Sequence, residues 1–214
     1  MDKKNDEISA VVIRKTIANP LAKLLIKYTS ITPNEITILS FFFMVSGCLF
    51  FILGGYINQI VGAFLCFIYA VLDHIDGDIA RVKNMQSKMG QWMDCIVGFV
   101  SHPLILFSLT YSINTQLAWI LGSLAMICYP MEYLIARFYK LDIEAINKPI
   151  RVSKSGKFEF IRRFYGSEIF FFILLGCILI NKPILVLLFF ALFGNLVWIF
   201  IIFLQYRNIK MKMD

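Results

Sequence analysis

Charge is scarce in this chain, and negative charge is scarcer still. Asp, Glu, Lys and Arg together make up 16% of 214 residues, with only 14 acids, against roughly 25% charged residues in an ordinary soluble domain. That shortage excludes a disordered, solvated chain and an ordinary cytosolic enzyme. Proline is also sparse, at 6 residues, which excludes a collagen-like or proline-rich chain. The five cysteines, Cys48, Cys66, Cys95, Cys128 and Cys177, form no CxxC and lie in or beside apolar runs. They read as small apolar packers rather than a disulfide framework or zinc site. A cleavable signal peptide is not visible either: Asp2, Lys3, Lys4, Asp6 and Glu7 are followed by Arg14, Lys15, Lys23 and Lys27 instead of a clean apolar stretch.

What is abundant is apolar. Hydrophobic residues reach 59%, including 21 Phe, against roughly 45–50% on average. A membrane-spanning helix needs about 20 mostly apolar residues. Six segments qualify, near residues 36–57, 59–82, 92–113, 116–138, 166–181 and 183–206. The fifth has a short apolar core, Ile169 to Ile180, and is expected to tilt or to thin the bilayer. The weak alternation argues against a barrel. The expected fold is an all-α integral membrane protein of six transmembrane helices. Residues 1–35 form an N-terminal tail and helix, 36–206 the membrane domain and 207–214 a tail.

The net charge of +7 has two readings, nucleic acid or topology. Every Lys and Arg except Lys182 falls in the N-terminal tail, the 81–88 connection, the 137–163 connection or the C-terminal tail. With six spans these four regions share one side, and the positive-inside rule makes that side the cytoplasm. Both termini are therefore expected inside, in a bacterial inner membrane, and no nucleic-acid partner is expected. Residues 8–29 mix Val11, Ile17, Leu21, Leu24, Leu25 and Tyr28 with Arg14, Lys15, Lys23 and Lys27. They read as an amphipathic helix lying in the interface, its cations toward anionic headgroups and its course kinked or interrupted at Pro20. A solvated helix before the first span is the plainer alternative.

Intramembrane acids are rare, so each is a candidate site by default. Asp73, Asp76, Gly77 and Ala80 share one helical face, and Asp94 opens the next span at the same depth. Three clustered carboxylates repel one another, and a divalent cation removes that repulsion. An oxygen-only donor set suits Mg²⁺, Mn²⁺ or Ca²⁺ better than zinc, and Mg²⁺ commonly combines one or two carboxylates with substrate phosphates. Gly77 and Ala80 leave room for a ligand, and Arg81 supplies a planar cation suited to phosphate.

The pattern Asp73-x2-Asp76-Gly77-x2-Ala80-Arg81-x8-Gly90-x3-Asp94 resembles the signature of the CDP-alcohol phosphotransferases, membrane enzymes of phospholipid synthesis. Seven of its eight fixed residues stand at the right spacing over 22 positions. Pro33-Asn34-Glu35-Ile36-Thr37 is similar to that family's Pro-[Asn/Asp]-x-x-Thr element. The resemblance implies transfer of a phosphatidyl or phosphoryl-alcohol group from a CDP-linked lipid or alcohol to a hydroxyl acceptor, with loss of CMP. It implies Mg²⁺ or Mn²⁺ on Asp73, Asp76 and Asp94, a nucleotide site shaped by Gly77, Ala80, Arg81 and Gly90, contacts from Asn34 and Thr37, and a homodimer.

The last signature acid should fall at position 98, where this chain has Gly98. In the resembled family that acid is the proposed general base, an assistance typically worth 10²–10⁴-fold. Four readings stay open. Another group serves as base: His102 one turn on, His74 about 100° off the acidic face, or Glu168 from the fifth span. The acceptor arrives already ionised. The chain is a degenerate homologue that binds without turnover. Or the substitution is a variant that weakens catalysis and keeps the fold. Arg151, Lys154, Lys157, Arg162 and Arg163 crowd the long connection, with Arg151, Arg162 and Arg163 as candidates for a phosphorylated acceptor or lipid headgroups; topology alone also explains them. From other classes, a cation-coupled transporter would place its acids near the midplane, and a prenyltransferase would leave Gly-x2-Ala-Arg unexplained.

Overall fold

The computed structural model describes residues 12–138 and 167–213, and among these the regular structure is entirely helical. A π-helical turn (Arg14–Ala18) leads into α1 (Asn19–Tyr28). Then come α2 (Pro33–Leu53), α3 (Tyr56–Val82), α4 (Lys88–Ile113) and α5 (Gln116–Phe138). After the connection, α6 (Ser167–Leu179) precedes α7 (Ile184–Phe189), a second π turn (Phe190–Gly194) and α8 (Asn195–Met213).

Five of these stretches are long and apolar enough to cross a bilayer: Pro33–Leu53, Tyr56–Val82, Lys88–Ile113, Gln116–Ile135 and Ile184–Arg207. The sixth expected span coincides with α6, a helix of 13 residues. At 1.5 Å per residue it is about 20 Å long, short of a bilayer core of about 30 Å. Among the described residues the architecture is thus an all-α membrane bundle with five helices long enough to span and one short apolar helix. Exposed Ile38, Phe42, Leu49 and Leu53 on α2, and Leu192, Leu196, Ile199 and Phe203 around α8, explain why both helices are apolar on all sides. One side packs on protein, and the other meets a medium as apolar as the core.

Local chemistry fixes where the helices start. Thr32 caps α2 in a reciprocal capping box: its hydroxyl accepts from Glu35 N–H at 3.4 Å, and its own N–H donates to Glu35 Oε2 at 2.7 Å. Pro33 takes the first helical position, where a missing N–H costs nothing. Ser87 caps α4 by accepting from Gly90 N–H at 3.0 Å. Gly54 and Gly55, both with positive φ, turn α2 into α3. The expected disturbance at Pro20 is present as the π turn just before it, a wider coil that accommodates the lost N–H and the ring.

The helix that precedes the first span is two-faced. Ile13, Ala18 and Ala22 are buried with Val71, Ile75 and Ile79 of α3 and Ile36 of α2. Leu21, Leu24 and Tyr28 remain exposed on the other side. Val11 and residues before it, and the connection carrying Arg151, Arg162 and Arg163, lie outside the described residues.

α2 crosses α3 closely. A methyl group built on Gly47 would stand 2.7 Å from Cys66 Sγ and 2.9 Å from the Gly62 carbonyl. Glycine at 47 therefore lets the two backbones approach. Gly47→Ala is expected to push α2 off α3 and to destabilise the protein by about 1–3 kcal/mol. Thermal unfolding in detergent measures it, with Gly176→Ala, where nothing lies within 4 Å, expected to cause no loss.

Candidate metal and phosphate site

α2 packs against both α3 and α4, and these three helices converge at the end that carries the signature. The Asp73 and Asp76 side chains leave α3 one turn apart, and Asp94 stands near the start of α4. One ligand atom from each of the three carboxylates lies within 4.8 Å of the others. The burial is graded: Asp76 is 6% exposed, Asp73 half-buried and Asp94 open to the outside. A site closed on the helix side and open on the other admits a ligand from one direction.

Asp76 is anchored from a third helix. The Thr37 hydroxyl, one turn into α2, donates to Asp76 Oδ2 at 2.6 Å, with the Pro33 carbonyl 3.2 Å away as a weaker acceptor. The family resemblance implies a nucleotide contact from Thr37. It lines the same cleft, but its hydroxyl is committed to orienting a carboxylate, a buried charge-assisted bond that fixes which Asp76 oxygen faces outward.

Beside the carboxylates opens a cleft of about 370 Å³. Its walls include Asn34, Thr37, Asp76, Gly77, Ala80, Arg81, Gly90 and Asp94. The glycines earn their places sterically. A Cβ on Gly90 would lie 3.0 Å from Asn34 Oδ1 and 3.2 Å from Ser87 Oγ. A Cβ on Gly77 would rest on the Arg81 guanidinium, 3.4 Å from Nη1. Arg81 is half-exposed and paired with Asp78, so the acid lying off the signature face serves to hold Arg81. Gln86, Ser87 and Gln91 also line the cleft. Sequence reading passed over them because they sit at or beside the eight-residue gap of the signature, where the pattern leaves identity free. The Lys83 ammonium donates to the Ile31 carbonyl at 2.9 Å and ties the α3–α4 connection to the start of α2.

The candidates for the role missing at Gly98 fare differently. His102, expected to reach back over Gly98, does not do so. Its ring is 4% exposed, stacked on Tyr129 at 3.7 Å and flanked by Phe170 at 4.7 Å. A Cβ on Gly98 would meet nothing within 4 Å. The aromatic packing of α4, α5 and α6 wins over a lone polar contact and draws the imidazole into the bundle. His74 and Glu168 do meet, Nε2 to Oε1 at 3.3 Å, bringing an acid of α6 to the residue next to Asp73.

Thr37→Val is expected to leave Asp76 buried without its side-chain donor, lowering stability by about 1–3 kcal/mol. Thr37→Ser, which keeps the hydroxyl, should stay near wild type. Unfolding of both in chelator-treated detergent solution is the check.

Residues 30–203 match the CDP-alcohol phosphatidyltransferase family. Among individual proteins, the chain is similar to an archaetidylinositol phosphate synthase of Pyrococcus horikoshii, 31% identical over 99 residues, covering 45% of this chain and 51% of that protein. It is similar to a phosphatidylinositol phosphate synthase of Corynebacterium glutamicum, 31% identical over 114 residues, 51% of each chain. It also resembles a bifunctional IPC transferase and DIPP synthase of Aquifex aeolicus, 27% identical over 126 residues, 56% of this chain and 28% of that protein. The chain thus spans about half, or less, of the length of these curated relatives. The family match extends from the start of α2 almost to the end of the chain and takes in every residue of the cleft, and the chain belongs to the CDP-alcohol phosphatidyltransferase family.

Proposed function

We propose that this chain transfers a substituted phosphoryl group from a CDP-linked donor to a hydroxyl acceptor and releases CMP. The observation that carries this reading is the meeting of three carboxylates within 4.8 Å at the wall of a cleft lined by the rest of the signature. An oxygen-only set of this kind fits Mg²⁺ or Mn²⁺, with Asp73, Asp76 and Asp94 as the holding residues. When bound, such an ion neutralises pyrophosphate charge and stabilises the departing phosphate.

The chain's own groups divide the remaining work. Thr37 fixes the Asp76 carboxylate. Arg81, oriented by Asp78, offers N–H donors to a phosphate that enters beside Gly77. Asn34, held close by Gly90, presents its amide to the nucleotide. Gly77 and Ala80 keep the α3 wall low enough for the donor to lie against it. The acceptor oxygen forms a new bond to phosphorus, the bond to CMP breaks, and the acceptor proton leaves the site.

The acceptor is proposed to be a phosphorylated polyol. Two of the similar proteins are named as an archaetidylinositol phosphate synthase and a phosphatidylinositol phosphate synthase, and Arg151, Arg162 and Arg163 give the long connection cations suited to a phosphate. The proposed topology is six crossings with both termini and the site on the cytoplasmic side of a bacterial inner membrane, in a homodimer. The basic residues support that sidedness. Exposed Leu21, Leu24 and Tyr28 beside Lys23 and Lys27 suit an interfacial helix.

Gly98 favours a second reading, a homologue that binds the CDP-linked donor and turns it over poorly. CMP release from purified protein separates the two. With Mg²⁺ or Mn²⁺, CDP-diacylglycerol and a panel of polyol phosphates, release is expected, and Asp76→Ala or Asp94→Ala should lower it by at least about 10³-fold. Donor binding without release from any pair would support the second reading. A gain of about 10²-fold or more in Gly98→Asp would mark the native site as lacking a base.

A further inference from the structure

Asp73 and Asp76 belong to α3 and Asp94 to α4, and Gly98 gives α4 no second acid on that face. The α4 half of the cluster depends on one side chain, and on whatever holds α4 at its distance from α3. The backbones of α3 and α4 make almost no close approach to each other; α2 packs against both. A buried hydrogen bond crosses the gap. Tyr69, one turn from Asp73, donates to Ser101 Oγ at 3.1 Å. Ser101, seven residues beyond Asp94, donates in turn to the Gly98 carbonyl at 3.1 Å, with His102 Nδ1 3.2 Å to the other side. Tyr69 is 3% exposed and Ser101 fully buried. The Tyr69 ring is also wedged edge-on against Phe171 of α6, 5.7 Å between centroids.

The geometry points to Tyr69 and Ser101 as a positioning pair for the carboxylates. Their hydrogen bond sets the separation of α3 and α4 just inside the cluster, and with it how well Asp73 and Asp94 share one cation. This inference rests on reading the cluster as a divalent-cation site. The leverage is geometric. Mg²⁺ demands ligand distances of about 2.0–2.1 Å, so a small change in helix spacing moves Asp94 out of range. The bond also lies in an apolar surround where water does not replace it. An internal comparison exists at the far end of the same two helices: Gln59 Nε2 donates to Ser112 Oγ at 2.9 Å, about 21 Å along α3 from Asp73. That bond also joins α3 to α4, but it is too distant to place a carboxylate.

The test is a Mn²⁺ titration of the full chain in detergent, read by electron paramagnetic resonance without nucleotide, alongside thermal unfolding of the metal-free protein. Tyr69→Phe and Ser101→Ala are each expected to weaken Mn²⁺ binding about tenfold. The double variant should be no weaker than either single one, because both remove the same bond. Gln59→Leu should lower the unfolding temperature and leave the Mn²⁺ affinity unchanged. Unchanged affinity in Tyr69→Phe and Ser101→Ala, with lowered unfolding temperatures, would overturn the positioning role and leave a structural bond. An equal loss of affinity in Gln59→Leu would overturn it as well. Equal Mn²⁺ binding by the wild type and an Asp76→Ala, Asp94→Ala variant would overturn the cation site itself, a separate result from failure of the pair.

Discussion

Three carboxyl groups held within 4.8 Å of one another, at the end of two apolar helices, are the constraint around which this bundle is arranged. Coulomb repulsion between any of them that are ionised together is strong at that separation wherever water is partly excluded. The helices that carry the acids, α3 and α4, keep their backbones apart, and α2 is wedged against both. Thr37 on that wedge binds the most buried carboxylate. The capping box at Thr32 and Glu35 then acquires a consequence beyond helix stability. By fixing where α2 starts, it fixes where Asn34 and Thr37 stand relative to the acids.

The same economy of space appears wherever glycine is required. Gly47 lets α2 close on α3, Gly90 lets Asn34 approach α4, and Gly77 lies under the Arg81 guanidinium. Larger residues there would separate helices or fill the cleft. Gly98 is different, because a side chain there would meet nothing within 4 Å. Packing does not demand glycine at that position. The absence of the fourth acid is therefore a property of the site and not of the fold, and it leaves Asp94 as the one acid that α4 brings to the cluster.

Much of this was legible in the sequence. The acidic pattern over residues 73–94 combines helical periodicity with a short connection, and both are local properties. Asp73, Asp76, Gly77, Ala80, Arg81, Gly90 and Asp94 accordingly meet as their spacing suggests. The long spans were legible for the same reason. Long-range pairings were not. Nothing around position 37 says that its hydroxyl will reach Asp76, 39 residues away. The placement of His102 depends on Tyr129 and Phe170, which α5 and α6 deliver from distant segments. Spacing on α4 alone put the histidine over Gly98, and tertiary packing of its ring took it elsewhere. The brevity of α6 could be seen in its apolar core, but its contact through Glu168 with His74 could not.

The proposed cation between two helices can be located directly. Anomalous scattering at the manganese edge, from crystals grown with Mn²⁺ and CDP, should place a peak between the carboxylates of Asp73, Asp76 and Asp94, with nucleotide phosphate density beside Arg81. A manganese peak away from these three residues, or nucleotide bound in the cleft with no peak among them, would contradict a shared metal and phosphate site.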